Sequence, residues 1–492
     1  MGRYILAVDQ STQGTKGLLF DENGVLTARA DRPHRQIVND RGWVEHDPVE
    51  IMQNTVGVCA DVLAKSGVPA SHIEAFAISN QRETSMMWDK ATGRPIYNAV
   101  VWQCARAAEI CERPEIAGKA EAIRAKTGIN LSPYFPAAKL KWLMDNVPEA
   151  KNLASQGWLA CGTMDSWLVW NLTGNHRTDY SNASRTQLFN IVDLKWDEEL
   201  CKLFSIPMES LPEVHMSDDN FGETDLDSVL DHKVPIHGVL GDSHGALFGQ
   251  DCRVPGKVKA TYGTGSSVMM HIGDKPKFSG NGLVTSLAWG INGKVEYVFE
   301  GNLNYTGAVM TWLKKDVGLI STDMEATELA YAANPNDRAY FVPAFTGLGA
   351  PYWDSRATGL LTGITRTTGR AEIARACLDC IAYQITDLVL LMGRDAGMSL
   401  KELRVDGGPT ASGYLMQFQS DMAGISVQVP DLQELSGMGA AYAAGMAVGL
   451  YDPNTVYDHV RRQEYCPAMS QSQRDDLYNG WCAAVGQTLH HD

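Results

Sequence analysis

Two stretches of the chain, one in each half, share an unusual layout. Residues 4–8, Tyr-Ile-Leu-Ala-Val, read as a short buried strand. A turn rich in Gly, Ser and Thr follows over 9–15, and a second apolar strand over 17–20. The layout returns later: a β-like run over 257–262, the turn Gly263-Thr264-Gly265-Ser266-Ser267, and a strand over 268–272. A second echo accompanies the first. The strand 236–240 breaks at Gly241-Asp242-Ser243-His244-Gly245 before an Ala/Leu-rich helix, and the strand 403–405 breaks at Asp406-Gly407-Gly408-Pro409-Thr410 before a helix over 414–422. One glycine hairpin and one strand–Asp–Gly–helix corner per half predict two similar α/β domains facing a cleft. The division falls at 249–255, where Gln250, Pro255 and Gly256 mark a linker, giving domains 1–249 and 250–492.

The 492 residues are ample for two such cores. Lys and Arg number 42 against 58 Asp and Glu, a net charge of -16, which argues against a nucleic-acid or anionic-membrane partner. A local anion site built from backbone N–H groups is still allowed. Ten irregularly spaced cysteines do not form a disulfide framework. Cys377 and Cys380 make one C-x-x-C inside a predicted helix over 371–392, where packed thiols are expected. No signal-peptide pattern opens the sequence, and no apolar run reaches 18 residues. The expectation is a cytoplasmic protein.

Six places could carry chemistry. In the first hairpin, Asp9 at the strand end could hold Mg²⁺, and Thr12, Gln13 and Lys16 flank an anion-sized turn; a plain hairpin is the equal alternative. Gly263 and Thr264 offer a second phosphate cradle. Asp242 is either a general base for an attacking hydroxyl or a helix N-cap, and local sequence favours the cap. Arg82 and Glu83, after the apolar strand 75–79, suit vicinal hydroxyls or form an ordinary ion-paired turn. Trp102 and Tyr134 are sugar-stacking aromatics or core. Gly408, in the 406–408 turn, would admit a flat base close to the backbone, or only shape a turn. Competing signatures are absent: no G-x-x-x-x-G-K-[ST], no G-x-G-x-x-G, no H-E-x-x-H and no G-x-S-x-G. Phosphoryl transfer on another nucleotide cradle fits best. A dehydrogenase fits poorly.

Longer runs carry a resemblance. Residues 42–48 (Gly-Trp-Val-Glu-His-Asp-Pro), 80–84 (Asn-Gln-Arg-Glu-Thr), 97–104, 179–186, 343–354 and 416–421 are similar to the FGGY carbohydrate kinases, and within that family to its glycerol kinases. The resemblance implies two actin-like, ribonuclease H-like ATPase domains flanking a catalytic cleft. It implies ATP-dependent phosphorylation of a small polyol or sugar, with ATP and Mg²⁺. By the same resemblance Asp242 is the general base. Arg82, Glu83, Trp102, Tyr134 and Ser243 line the polyol pocket with it. Asp9 is the magnesium-associated carboxylate, with Asp242 near the ion. Thr12, Gln13, Lys16, Gly263, Thr264, Gly307, Thr311, Gly408 and Ser412 are the ATP contacts. A homo-oligomer, dimer or tetramer, is implied too.

Several positions depart from that family pattern. Ser243 stands where a Gln is usual, Ser267 where a large Phe is usual, and Ser266 where a Cys is usual. Small polar residues in place of the bulky ones at 243 and 267 suggest a longer polyol or ketose, of the erythritol, xylulose or ribulose type, as the alternative substrate. Lys16 replaces an Arg, and Ser412 with Gly413 replaces an Asn pair near the adenine position. A non-catalytic sugar or nucleotide sensor on the same fold is the remaining rival, opposed by the intact Asp9, Asp242 and Gly263–Gly265.

Overall fold

Strand β1 (Tyr4–Gln10) is buried from Ile5 onward and pairs antiparallel with β2 (Gly14–Phe20). The computed structural model describes residues 2–490. The turn between the two strands is only residues 11–13, shorter than the sequence pattern suggested. Asp9 and Lys16 therefore face each other within the ladder, because the polar ends of both strands still find backbone partners there. Strand β3 (Leu26–Pro33) adds beyond β2. Helix α1 (Pro48–Ser66) starts where the Asp47 carboxylate accepts the Val49 N–H at 2.8 Å, and it stops at left-handed Gly67. Strand β4 (Ile73–Asn80) then runs parallel to β1 on its other side. Strands β5 (Glu223–Thr224) and β6 (Val234–Gly241) complete the order β5-β6-β4-β1-β2-β3. A smaller five-stranded sheet, from strands between Ile37 and Thr163, sits beside it.

Helix α2 (Asp242–Gly249) leads into the second half. Its sheet contains β7 (Val258–Tyr262), β8 (Ser266–Gly273), β9 (Val284–Ile291), β10 (Lys294–Leu303), β11 (Glu402–Asp406), β12 (Ser426–Pro430) and β13 (Arg462–Tyr465). Their order is β9-β10-β8-β7-β11-β12-β13. Three antiparallel strands followed by two parallel ones appear in both sheets, as β3-β2-β1-β4-β6 and as β10-β8-β7-β11-β12. The architecture is doubled, but the corners pair differently from the sequence echo. By strand order β11 takes the place of β4, not of β6. The Asp406 turn thus corresponds to Asn80, and the Asp242 corner corresponds to the end of β12. Asp-Gly at a strand end reflects turn chemistry, whereas strand order is set by which edges pair.

The helices of the second half are α3 (Gly307–Lys315), α4 (Asp323–Ala332), α5 (Arg370–Ala396), α6 (Gly413–Ala423), α7 (Leu435–Ala447) and α8 (Gln471–Gly486). Helix α5 is long and apolar enough to cross a bilayer by composition, but most of it is packed inside the fold. Cys377 and Cys380 lie buried and free on it. Helices α2 and α7 pack against each other in the seam between the sheets. One core joins Ile5, Ala7 and Leu240 to Leu247, Met269, Val298 and Met438. A Cβ on Gly439 would stand 1.9 Å from the Gly245 carbonyl oxygen, so this crossing requires glycine. The segment read as a linker is tied down. Gln250 is buried, its Nε2 donates to Asp406 at 3.1 Å, and Arg462 donates to its carbonyl at 3.2 Å.

Candidate active site

Strand β6 is buried over its last four residues and delivers Asp242 to the mouth of the seam. Gly241, not Asp242, is the N-cap of α2, and a Cβ there would press on the Arg82 side chain at 2.8 Å. Asp242 is the first helical residue. Its Oδ1 accepts the Ser243 N–H at 2.6 Å and pairs with Arg82 Nε at 3.2 Å. Its side chain is 36% exposed, so the carboxylate is oriented on one side and reachable on the other.

Behind it stands a row of buried charges. The terminal nitrogens of Arg82 donate to both oxygens of Glu300, at 2.9 and 3.2 Å. Glu300 is fully buried on β10 and also pairs with Arg185 Nη1 at 2.6 Å. Arg185 Nε donates to Glu83 at 2.6 Å. The sequence Asp242–Arg82–Glu300–Arg185–Glu83 thus alternates in sign. Burial opposes ionisation of Glu300, yet the adjacent Arg185 and Arg82 charges hold its carboxyl well below the usual carboxylate range. Glu83 has φ of 61°, a left-handed conformation uncommon for a residue with a side chain. Ser267, on β8, donates to Glu300 at 3.4 Å.

The aromatic wall adjoins this row. The Trp102 and Tyr134 rings are 5.4 Å apart, and Trp102 Nε1 donates to Thr12 Oγ1 at 2.9 Å. The expected polyol wall and the first phosphate turn are therefore in direct contact. Lys139, fully buried, donates to the Tyr134 carbonyl, and burial lowers its ammonium to about 7.

The opposite side is built from backbone. Gly307 N–H donates to the Gly263 carbonyl at 2.9 Å, while Thr306 and Ala308 N–H groups donate to Thr264, both at 3.0 Å. Thr311 donates to the Gly307 carbonyl at 3.4 Å on the exposed side of α3. Gly407 has φ of 101°, and a Cβ there would stand 2.0 Å from the Tyr262 carbonyl oxygen. This close approach sets Gly408 beside the second hairpin. Ser412 caps α6 through the Leu415 N–H and shares a 2.8 Å hydroxyl contact with Thr327 of α4. In the first turn, the carbonyls of Thr12 and Gln13 are held by His34, at 2.9 Å from its Nε2 and 3.2 Å from its N–H. Lys16 donates to Glu434 at 2.8 Å and lies 3.5 Å from Asp9.

Asp9 accepts from Ser79 Oγ at 3.0 Å. Burial raises its carboxyl above the usual range against the pull of Lys16, and the charge on Asp242 adds to the rise. A buried carboxyl whose ionisation a neighbouring carboxylate opposes suits a divalent cation. Among the described residues no group of three or more metal-type ligands occurs.

Glu300, Arg185 and Glu434 have no local sequence signature of a site. Glu300 lies mid-strand, and Glu434 reaches Lys16 only because α7 folds back onto the first sheet. Lys259 and His244 were missed as well: both are fully buried in the same seam, with Nζ and Nδ1 lacking hydrogen-bond partners.

Residues 4–249 match the N-terminal domain, and 258–448 the C-terminal domain, of the FGGY family of carbohydrate kinases. The chain belongs to that family. It is an ATP-dependent kinase of the carbohydrate and polyol class on a two-domain FGGY fold. Glycerol kinase of Desulforamulus reducens is 44% identical over 491 residues, covering 99% of this chain and 98% of the relative. Glycerol kinase 1 of Thermotoga maritima is 46% identical over 490 residues, covering 99% of each. The crystal structure of Plasmodium falciparum glycerol kinase with ADP superposes with a TM-score of 0.94 at 35% identity, covering 100% of this chain and 99% of that one. A ligand-bound xylulose kinase from Lactobacillus acidophilus, at 22% identity over 99% of this chain and 98% of its own, shares the fold with a TM-score of 0.88.

Proposed function

We propose that this kinase phosphorylates glycerol or a closely similar small polyol, with Asp242 as general base. One observation carries the reading: a partly exposed carboxylate, fixed by Arg82 and the Ser243 N–H, stands where the two halves meet. The full-length relatives named glycerol kinase favour glycerol over the longer substrates that Ser243 and Ser267 suggest.

The polyol hydroxyl lies against Arg82, Glu83, Trp102, Tyr134 and Ser243. Its oxygen attacks the γ-phosphorus of ATP in line. The new O–P bond forms as the bond from that phosphorus to the bridging oxygen breaks, ADP leaves, and the proton passes to Asp242. Backbone N–H groups around Thr12, Gln13, Gly263 and Thr264 hold the phosphates, with Lys16 contributing charge. Gly307, Thr311, Gly408 and Ser412 hold the nucleoside. Asp9 and Asp242 would hold Mg²⁺, which neutralises phosphate charge when bound. Closure of the halves excludes water and limits idle ATP hydrolysis. In this reading the domains are 1–249 and 250–492, with α7 packed back on the first sheet. The enzyme is cytoplasmic, a dimer or tetramer, and acts on small molecules, not on nucleic acid or membrane.

ADP release with ATP and Mg²⁺, measured across glycerol, erythritol, pentitols, hexitols and common ketoses, tests the reading. The highest kcat/KM is expected with glycerol. Clear preference for a ketose or a longer polyol would overturn the substrate assignment while leaving the kinase assignment intact.

A further inference from the structure

Helices α4, α5, α6 and α8 leave between them a cavity of about 380 Å³. That is the size of a small-ligand site, for which ~300–1,000 Å³ is usual. None of the candidate ATP contacts lines it. Its walls include Tyr383, Tyr414 and Phe418. The Tyr414 and Phe418 rings are nearly parallel at 6.1 Å, and Tyr383 meets Phe418 edge-on at 5.4 Å.

Most charged groups in the wall are already engaged. The terminal nitrogens of Arg375 donate to the carbonyls of Asn334 and Asp337, at 2.7 and 2.9 Å. Arg338 pairs with Asp476 at 3.3 Å. Asp337 accepts from Ala339 N–H and Thr368. Asp421 Oδ1 accepts the N–H groups of Ala468 and Met469, at 2.6 and 3.0 Å. Asp379 differs. Its Oδ1 accepts from the Tyr414 hydroxyl at 2.9 Å, but its Oδ2 has only Arg375 Nε at 3.8 Å, beyond hydrogen-bond distance. Its side chain is 13% exposed. A mostly buried carboxylate whose second oxygen is held only by a long ion pair, among aromatic rings, is complementary to a flat cation. Such a cation donates a charge-assisted hydrogen bond to the oxygen while the ring faces attract its charge.

We propose that this cavity binds a small organic cation of the amidinium or aryl-ammonium type, anchored by Asp379 among the Tyr383, Tyr414 and Phe418 rings. Burial pushes the Asp379 carboxyl up to about 7, against the opposing pull of Arg375 and Tyr414. Binding therefore strengthens as pH rises through neutrality and the carboxylate forms.

The test is calorimetric titration of the full chain, saturated with ADP, with benzamidinium. Binding at millimolar concentration is expected, weakened about tenfold or more in Asp379→Asn. On the unmutated protein, affinity should rise between about pH 6 and pH 8, while neutral benzamide shows no such trend. This pH series does not depend on how well the variant folds. Absence of binding at millimolar benzamidinium, equal affinity in a folded Asp379→Asn or a flat pH series would each overturn the site.

Discussion

Around Asp242 the cleft is made of side chains: Arg82, Glu300, Arg185 and Glu83 hold one another in a buried row of alternating charge. Around Gly263 it is made of backbone, with Gly307 and Gly407 pressed against neighbouring carbonyls and little charge involved. The two constructions answer two kinds of ligand. Polyol hydroxyls both donate and accept, so they need fixed side-chain partners of both kinds. Phosphate oxygens only accept, and backbone N–H groups serve them if the chain can come close. The first side should therefore fail when charge is removed, and the second when volume is added.

The largest effect is expected from Asp242→Asn, which keeps the shape and removes the base. A fall in kcat of about 10²–10⁴ is expected, with the polyol KM within a few-fold of the original. Steady-state kinetics with glycerol and ATP decide it. A large rise in KM with kcat preserved would make Asp242 a binding residue instead.

Next comes Glu300→Ala. It leaves two buried guanidinium groups without their shared anion, which costs about 3–5 kcal/mol in comparable buried pairs. Urea denaturation measures this. The polyol KM should rise more than the ATP KM, because Arg82 loses its bidentate anchor. Stability unchanged within about 1 kcal/mol would mean that the row of charges does not hold the polyol side together.

The same division explains what could be read in advance. Glycine turns announce themselves, because Gly263–Gly265 and Gly407–Gly408 interrupt apolar strands, and the doubled fold was visible from them. Asp242 was visible for the same reason, although its local pattern suggested a cap that Gly241 in fact provides. Glu300 sits within a strand whose neighbours carry no site chemistry, and Arg185 and Glu434 reach their partners across more than a hundred positions of chain. Only sheet order brings them in. The mismatched corner echo has the same origin: turn residues repeat locally, whereas edge pairing is a property of the whole sheet.

Gly407→Ala tests the backbone side. The new Cβ would meet the Tyr262 carbonyl at 2.0 Å at a φ that disfavours any side chain. A loss of about 1–3 kcal/mol and a raised ATP KM are expected, with the polyol KM unaffected. An equal rise in both constants would show that the two sides are not separately built.

The smallest effect sharpens the contrast through pH. Lys139, beneath Tyr134, has its ammonium lowered to about 7, first by burial, with the nearby Glu83 carboxylate opposing the drop. In the unfolded chain the same group holds its proton to about 10.4. Between these values the unfolded state binds more protons than the folded one, so stability rises with pH, by at most about 1.4 kcal/mol per unit from this group. Below pH 7 both states are protonated and the burial penalty is fully present. Lys139→Met removes the penalty but also the bond to the Tyr134 carbonyl. Its stability relative to the parent should therefore be most favourable near neutral pH and decline steadily toward pH 10. Gly407→Ala, on the backbone side, should differ from the parent by a constant amount over the same range. A constant difference for Lys139→Met as well, measured by urea denaturation at several pH values, would mean that Lys139 does not titrate in this window and that charge matters less on the polyol side than its geometry implies.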